Sequence, residues 1–292
     1  MKCAWFHLAD AVVLRVSGKD ARRYLNNRLS NDLRSCTPGD VIRAAALSPQ
    51  GRVEGLFSVV VEAEESFLLV CDGGRRNSIL AALSRYIVAD RVSVQDISLQ
   101  IVVLHSTSVE PVKLEGGVVH TIPHARVWAH GYDYVLEGVE REPILEQCAA
   151  DWGVPMTHEE YALLRWKQGL PAYPGEINED TILTEAGMRE AVSFTKGCYV
   201  GQEVIERSDA VGKLPRTLER IRFEGTHADL VRTPVVSASG QNIGKIVSCV
   251  SDTVHAFTGA FALLRNGAYA SGDTVRCAEI TGSILSKDEV VS

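Results

Sequence analysis

The sequence predicts an α+β body followed by a C-terminal β module. Three observations carry this. Up to about residue 210, segments with apolar residues at helical spacing alternate with β-branched and aromatic runs. From about Thr217 onward, short apolar runs are broken by Gly, Ser and Asn turns, which suits a small barrel or sandwich. The 292 residues are 46% apolar and 23% charged, a globular balance with enough chain for a sizeable core and more than one domain.

The elements follow in order. The stretch VVLRVSGKDARRYLNNRLSNDL reads as a strand and then a helix. Ser17 and Asp20 have capping-box spacing, and Ala21, Tyr24, Leu25 and Leu29 share one face. Strands joined by the turns SPQG and EAEES come next. Ile79, Leu80, Leu83, Tyr86 and Ile87 predict a second helix, and strands follow in VSVQDISLQIVVLH and around RVWAHGYDYVLEG. PILEQCAADWG predicts a helix stopped at Gly153. Thr157 and Glu160 repeat the capping-box spacing before a helix that stops at Gly169. LPAYPGEINED reads as an ordered loop or linker. The predicted division is 1–215 for the α+β body and 216–292 for the β module.

The net charge of −7 argues against a nucleic-acid coat or a polybasic membrane binder. The first 52 residues nonetheless carry Lys2, Arg15, Lys19, Arg22, Arg23, Arg28, Arg34, Arg43 and Arg52 against four aspartates. They form either a face for an anionic ligand or a solvated surface. No apolar run approaches membrane-spanning length, and the opening residues do not read as a signal peptide. The seven cysteines are odd in number and spread out, with no CxxC, so a cytoplasmic setting without a disulfide framework or structural zinc is expected. Signatures for a P-loop, a GxSxG nucleophile, a zinc protease and a dinucleotide fold are all missing.

Chemistry concentrates in SFTKGCYVGQEVIER. Gly197 and Gly201 bracket Cys198, Lys196 lies two residues before it, and a helix opens after it, all of which favour a reactive thiolate. The alternative is a small buried hydrophobe in a helix-start turn. Gln202 and Glu203 suit either the edge of a heterocycle or a helix cap. Glu185 suits an amide-like ligand edge or a solvated loop. Arg52 and Glu54, after a glycine turn, suit a ligand anchor and general base or plain surface charge.

The run Lys196, Gly197, Cys198, Tyr199, Gly201, Gln202 and Glu203 closely resembles the signature of the YgfZ family of folate-binding proteins, relatives of the glycine-cleavage T-protein, an aminomethyltransferase. The resemblance extends over LSPQGRVEGLF, RYIVADRVSVQDIS, GKLPRTL and GAFALLR. It implies three units arranged as a cloverleaf around a central channel, the last a β-barrel. It implies tetrahydrofolate or another reduced folate as cofactor, and a role in assembly or repair of iron–sulfur enzymes, including those that modify tRNA. The partners would be those enzymes or cluster-assembly proteins, with no direct nucleic-acid contact and no membrane. Cys198 and Lys196 would carry the chemistry, with Gln202, Glu203, Glu185, Arg165, Arg52 and Glu54 around the folate. Other outcomes are a folate-dependent aminomethyltransferase-type enzyme and a binding module that has lost folate.

Two stretches depart from the family pattern. The family's Arg-x-Glu-Ala-Gly run is Arg165–Gly169 here, with Lys167 in place of the glutamate that grips the pterin in the T-protein. Its Thr-His-x-Arg-Gly is Ser208–Gly212. The T-protein's catalytic aspartates fall near Glu54 and Gly55.

Overall fold

A computed structural model describes residues 3–291 apart from 115, 116, 128, 129, 211–213, 229, 288 and 290. Val211 and Gly212 of the second departing stretch therefore lie outside the described residues. The chain runs β1 (Trp5–His7), β2 (Val12–Ser17), α1 (Ala21–Arg28), β3 (Val41–Leu47), β4 (Val53–Ala63), β5 (Ser66–Cys71), α2 (Arg76–Ser84) and β6 (Ser93–Asp96). It continues through β7 (Ile101–Ser106), β8 (Val118–Pro123), β9 (Tyr132–Glu137), α3 (Arg141–Trp152), α4 (His158–Gln168) and α5 (Gln202–Ala210). It ends in β10 (Arg216–Glu224), β11 (Pro234–Ser237), β12 (Asn242–Asp252), β13 (Phe257–Arg265), β14 (Thr274–Cys277) and β15 (Ile280–Ile284).

These strands build an α+β architecture of two antiparallel sheets and a barrel. The first sheet has the order β3-β4-β5-β2-β6 and the second β1-β7-β9-β8. The last six strands close in the order β10-β13-β12-β11-β14-β15, sealed by β10 pairing with β15. Closure leaves the barrel no free edge.

The apolar patterning explains how the layers stack. Alternation sends Leu14, Val16, Val59, Val61 and Leu69 to one face of the first sheet, where they pack with Leu25 and Leu29 of α1. Val13, Val60, Leu68 and Val70 point the other way and meet Phe6, Val103, Ile122 and Val135 of the second sheet. The linker joins the first core through Tyr173, Ile177, Leu183 and Ala191, and the thiol turn does so through Tyr199. Trp166 of α4 fastens the barrel. Its indole N–H donates to Ala260 O at 3.0 Å. A Cβ on Gly259 would fall 2.3 Å from the indole, so only glycine admits this contact.

Local signals held in part. Thr157 and Glu160 form a reciprocal capping box on α4, and Gly169 ends that helix in the left-handed region. Asp20 stands at the N-cap of α1 without capping it. Its carboxylate instead accepts from the Arg91 N–H at 2.9 Å, a tertiary tie that spacing does not reveal. Helix α2 stops at Ser84, short of Tyr86, whose ring lies 5.2 Å from the Arg28 guanidinium.

Candidate ligand channel and thiol turn

The residues before α5 hold Cys198 at the surface. Its side chain is exposed, which excludes the reading of a buried small hydrophobe. Gly201 takes φ +85°, and a Cβ there would meet Ser48 O at 2.6 Å, so the turn folds against the β3–β4 connection only with glycine. Lys196 is buried, and its ammonium donates to the carbonyls of Asn26, Leu29 (2.8 Å) and Asn31 (2.6 Å) around the C-terminus of α1. A cation there also suits the helix dipole. Burial pulls the ammonium down to about 8, so it stays mostly charged at neutral pH. All three N–H donors thus go to backbone, and Lys196 anchors the turn.

The other predicted site residues are dispersed. Gln202 accepts from the Tyr199 N–H at 3.2 Å and donates to Glu206 at 2.6 Å, as a cap does. Glu203 is exposed in the first turn of α5. Glu185 is buried rather than solvated, gripped at 2.9 Å on each oxygen by Arg216 of β10. Arg52 donates to Asp180 O at 2.7 Å. Glu54 pairs with buried Arg28 at 2.6 Å and with Arg85 at 3.3 Å. Lys167, at the place of the family's glutamate, pairs with Asp252 of the barrel at 3.1 Å and lies over Phe257. Among these residues Arg165 and Glu185 line the cavities between the units.

Those cavities adjoin one another. One of about 320 Å³ is lined by Arg43 and Asp72 of the first unit, His124 and Arg126 of the second, and Tyr161 and Arg165 of α4. It shares Leu170, Pro171, Met188 and Glu190 with a cavity of about 390 Å³ that reaches the barrel at Arg220 and Phe261. It shares Asp72, Tyr161, Arg165 and Ala172 with a third, of about 200 Å³. Together they form a channel walled by all three units.

The channel's charges are only partly spent. Asp72 binds Arg126 through one carboxylate oxygen at 2.8 Å, while the other oxygen is buried with no partner. Burial would raise this carboxyl, but Arg126 and then Arg43 hold it below the usual carboxylate range. Arg165 pairs with Glu176 at 2.8 Å, yet its Nε is buried without an acceptor. Arg43 bonds Ser58 Oγ at 3.0 Å and has no carboxylate partner among the described residues. Unmet acceptors and donors of this kind fit a polar heterocycle with an anionic tail.

Asp133 of β9 organises one wall. It is fully buried and accepts from Nδ1 of His105 at 2.9 Å, Nδ1 of His124 at 2.8 Å, and Arg126 at 2.8 and 2.7 Å. Burial, with Arg126 alongside, pushes His124 down to about 4, so it is neutral near pH 7. The unfolded chain therefore takes up a proton at a higher pH than the folded one. Stability contributed by neutral His124 is present above pH 6.5 and lost as pH falls toward 4, by about 3 kcal/mol at most. Urea unfolding across that window checks this, and His124→Asn, which keeps an N–H for Asp133, is expected to flatten the slope.

Asp72, His124, Arg126 and Tyr161 were not among the predicted site residues, and Arg43 entered only as one of the N-terminal cations offered as a face for an anionic ligand. They come from separate elements with no shared spacing. The available signal was Asp133, an acid inside the apolar run YDYVLE.

The fold belongs to the class of the glycine-cleavage aminomethyltransferases. The crystal structure of aminomethyltransferase T from Bartonella henselae superposes with a TM-score of 0.79 at 16% identity, covering 100% of this chain and 88% of that one. Residues 2–105 match the GCVT N-terminal domain. The chain is also similar, at under 30% identity, to curated proteins that carry the names IBA57 and YgfZ. The human mitochondrial iron–sulfur cluster assembly factor IBA57 is 27% identical, over 83% of this chain and 74% of that protein. The tRNA-modifying protein YgfZ of Hamiltonella defensa is 24% identical over 70% and 66%. The putative chloroplastic transferase At1g60990 of Arabidopsis thaliana is 23% identical over 94% and 68%. No helix among the described residues is long and apolar enough to cross a membrane.

Proposed function

We propose that this protein binds tetrahydrofolate or another reduced folate in the channel and supports assembly or repair of iron–sulfur enzymes, including those that modify tRNA, with Cys198 as the working thiol. The observation carrying this reading is the thiol turn: a buried lysine spends all its donors on holding one cysteine at the surface. The names of the human and Hamiltonella relatives supply the direction. In this reading residues 1–215 are the folate-binding body and 216–292 the barrel, in a cytoplasmic protein.

Folate fits the channel's unmet groups. Asp72 offers an acceptor to the N–H edge of a pterin, Arg165 Nε offers a donor, and Arg43 suits the anionic glutamate tail. A bound tetrahydrofolate supplies one-carbon carriage. The chain's own residues would bind and orient it, and His124 is neutral in the channel wall near pH 7. An aminomethyltransferase activity is less well supported, because the Glu54 carboxylate is held in ion pairs with Arg28 and Arg85.

Two measurements separate the parts. Cys198→Ala is expected to fold normally yet lose support of iron–sulfur enzyme activity in cells under oxidative stress; full support would remove the thiol's role. Asp72→Asn is expected to weaken quenching of folate fluorescence roughly tenfold or more. Unchanged affinity would place folate elsewhere.

A further inference from the structure

The largest cavity described, about 620 Å³, lies outside the channel, along α1. Lys19, Arg22, Arg23 and Arg34 line it with Glu64, and Gly197 forms its border beside Cys198. The thiol turn is fastened to the wall of this groove, because Lys196 is bonded to the carbonyls of Asn26, Leu29 and Asn31 at the end of α1.

The cations of the groove are set out one by one. Arg22 pairs with Glu64 at 3.2 Å, Arg23 with Asp90 at 2.6 Å and Arg34 with Asp32 at 2.6 Å. Lys19 has no carboxylate partner among the described residues, and exposed Asn27 adds an amide to the wall. Side chains of Arg23 and Arg34 are 65% and 60% exposed. Exposed pairs of this kind are worth ~0–1 kcal/mol, so incoming carboxylates can exchange with the resident ones. Glu65 also lines the groove, with no cation partner among the described residues, so the lining holds four cations against two glutamates. The three arginines pair with different acids and are spread along the groove, where a compact phosphate would need converging donors. Carboxylates spaced along a flexible chain match this arrangement.

We propose that the α1 groove docks an acidic polypeptide segment of a partner protein and delivers it to Cys198. This rests on the reading of Cys198 as the working thiol and names the chemistry of the partner that reaches it.

The test uses the thiol as its own reporter, on the full chain. Peptides Cys-Gly-Glu-Glu-Glu-Glu, Cys-Gly-Ser-Ser-Ser-Ser and Cys-Gly-Lys-Lys-Lys-Lys are each prepared as the mixed disulfide with thionitrobenzoate. The Cys198 thiolate attacks the peptide sulfur, a new disulfide forms, and thionitrobenzoate leaves with the electron pair and is read by absorbance. Cys198→Ala gives the background from other thiols. The acidic peptide is expected to react roughly tenfold faster than the serine peptide at low ionic strength, with the preference lost in about 0.5 M salt. Lys19→Glu/Arg23→Glu/Arg34→Glu is expected to abolish the preference while leaving the serine peptide's rate unchanged, which also verifies an intact turn. Equal rates for acidic and lysine peptides, or a preference that survives the triple variant, would overturn the proposal. Loss of the preference to inorganic phosphate at matched ionic strength would overturn it in favour of a small-anion site. If Cys198→Ala sustains iron–sulfur enzymes in cells, the functional reading fails on its own, whatever the peptides do.

Discussion

Asp133→Ala is expected to destabilise the protein by about 3–5 kcal/mol, the range for removing one partner from a buried ionic network. The size follows from what is left behind. Arg126 would keep only Asp72 as a carboxylate partner, and the ring nitrogens of His105 and His124 that face Asp133 would lose that partner. The same change would unfix Arg126 and His124 where they wall the channel, so folate affinity should fall along with stability. Urea unfolding near pH 7 reads the first effect and fluorescence quenching the second. A loss below about 1 kcal/mol would mean that the cluster is dispensable to the fold.

Lys196→Met is expected to be as damaging to function as removal of the thiol. Methionine keeps much of the apolar stem but supplies none of the donors. The carbonyls of Asn26, Leu29 and Asn31 would lose their shared partner. Each buried unmet carbonyl costs about 1–3 kcal/mol, and local relaxation toward water recovers part of that. A net loss of about 2–4 kcal/mol is expected, with Cys198 present but displaced. Iron–sulfur enzyme activity in cells checks the functional half. A Lys196→Met protein that supports those enzymes as well as wild type would show that the turn needs no anchor.

Much of the fold was legible because it rests on local rules. The capping box at Thr157, the stop at Gly169 and the β-rich text after Thr217 each have a local cause. The failures share a different cause. Asp20 had the right spacing for a cap, but Arg91, 71 residues away, claims its carboxylate. Lys167 suggested a reversed charge in the ligand pocket, yet it faces the barrel at Asp252. Glu185 sits in an acid-bearing loop and is nonetheless buried on Arg216. The thiol turn was readable as a motif, whereas Arg43, Asp72, His124 and Arg126 meet only after three units have packed.

The linker between α4 and α5 has a consequence for motion. It has little regular structure, yet Asp180 takes bonds from Arg52 of the first unit and from Lys245 of the barrel. Glu185 holds Arg216, and Glu176 receives both Arg165 and Ser248. Glu176 and Glu185 are buried where they make these ties, so the segment acts as a spine between its neighbours, while the exposed Asp180–Lys245 pair adds little. Swinging the barrel away from the two sheets would break the pair of buried Glu185 with Arg216 and the Glu176–Ser248 bond, so opening of that kind carries an energetic cost that entry through a mouth avoids.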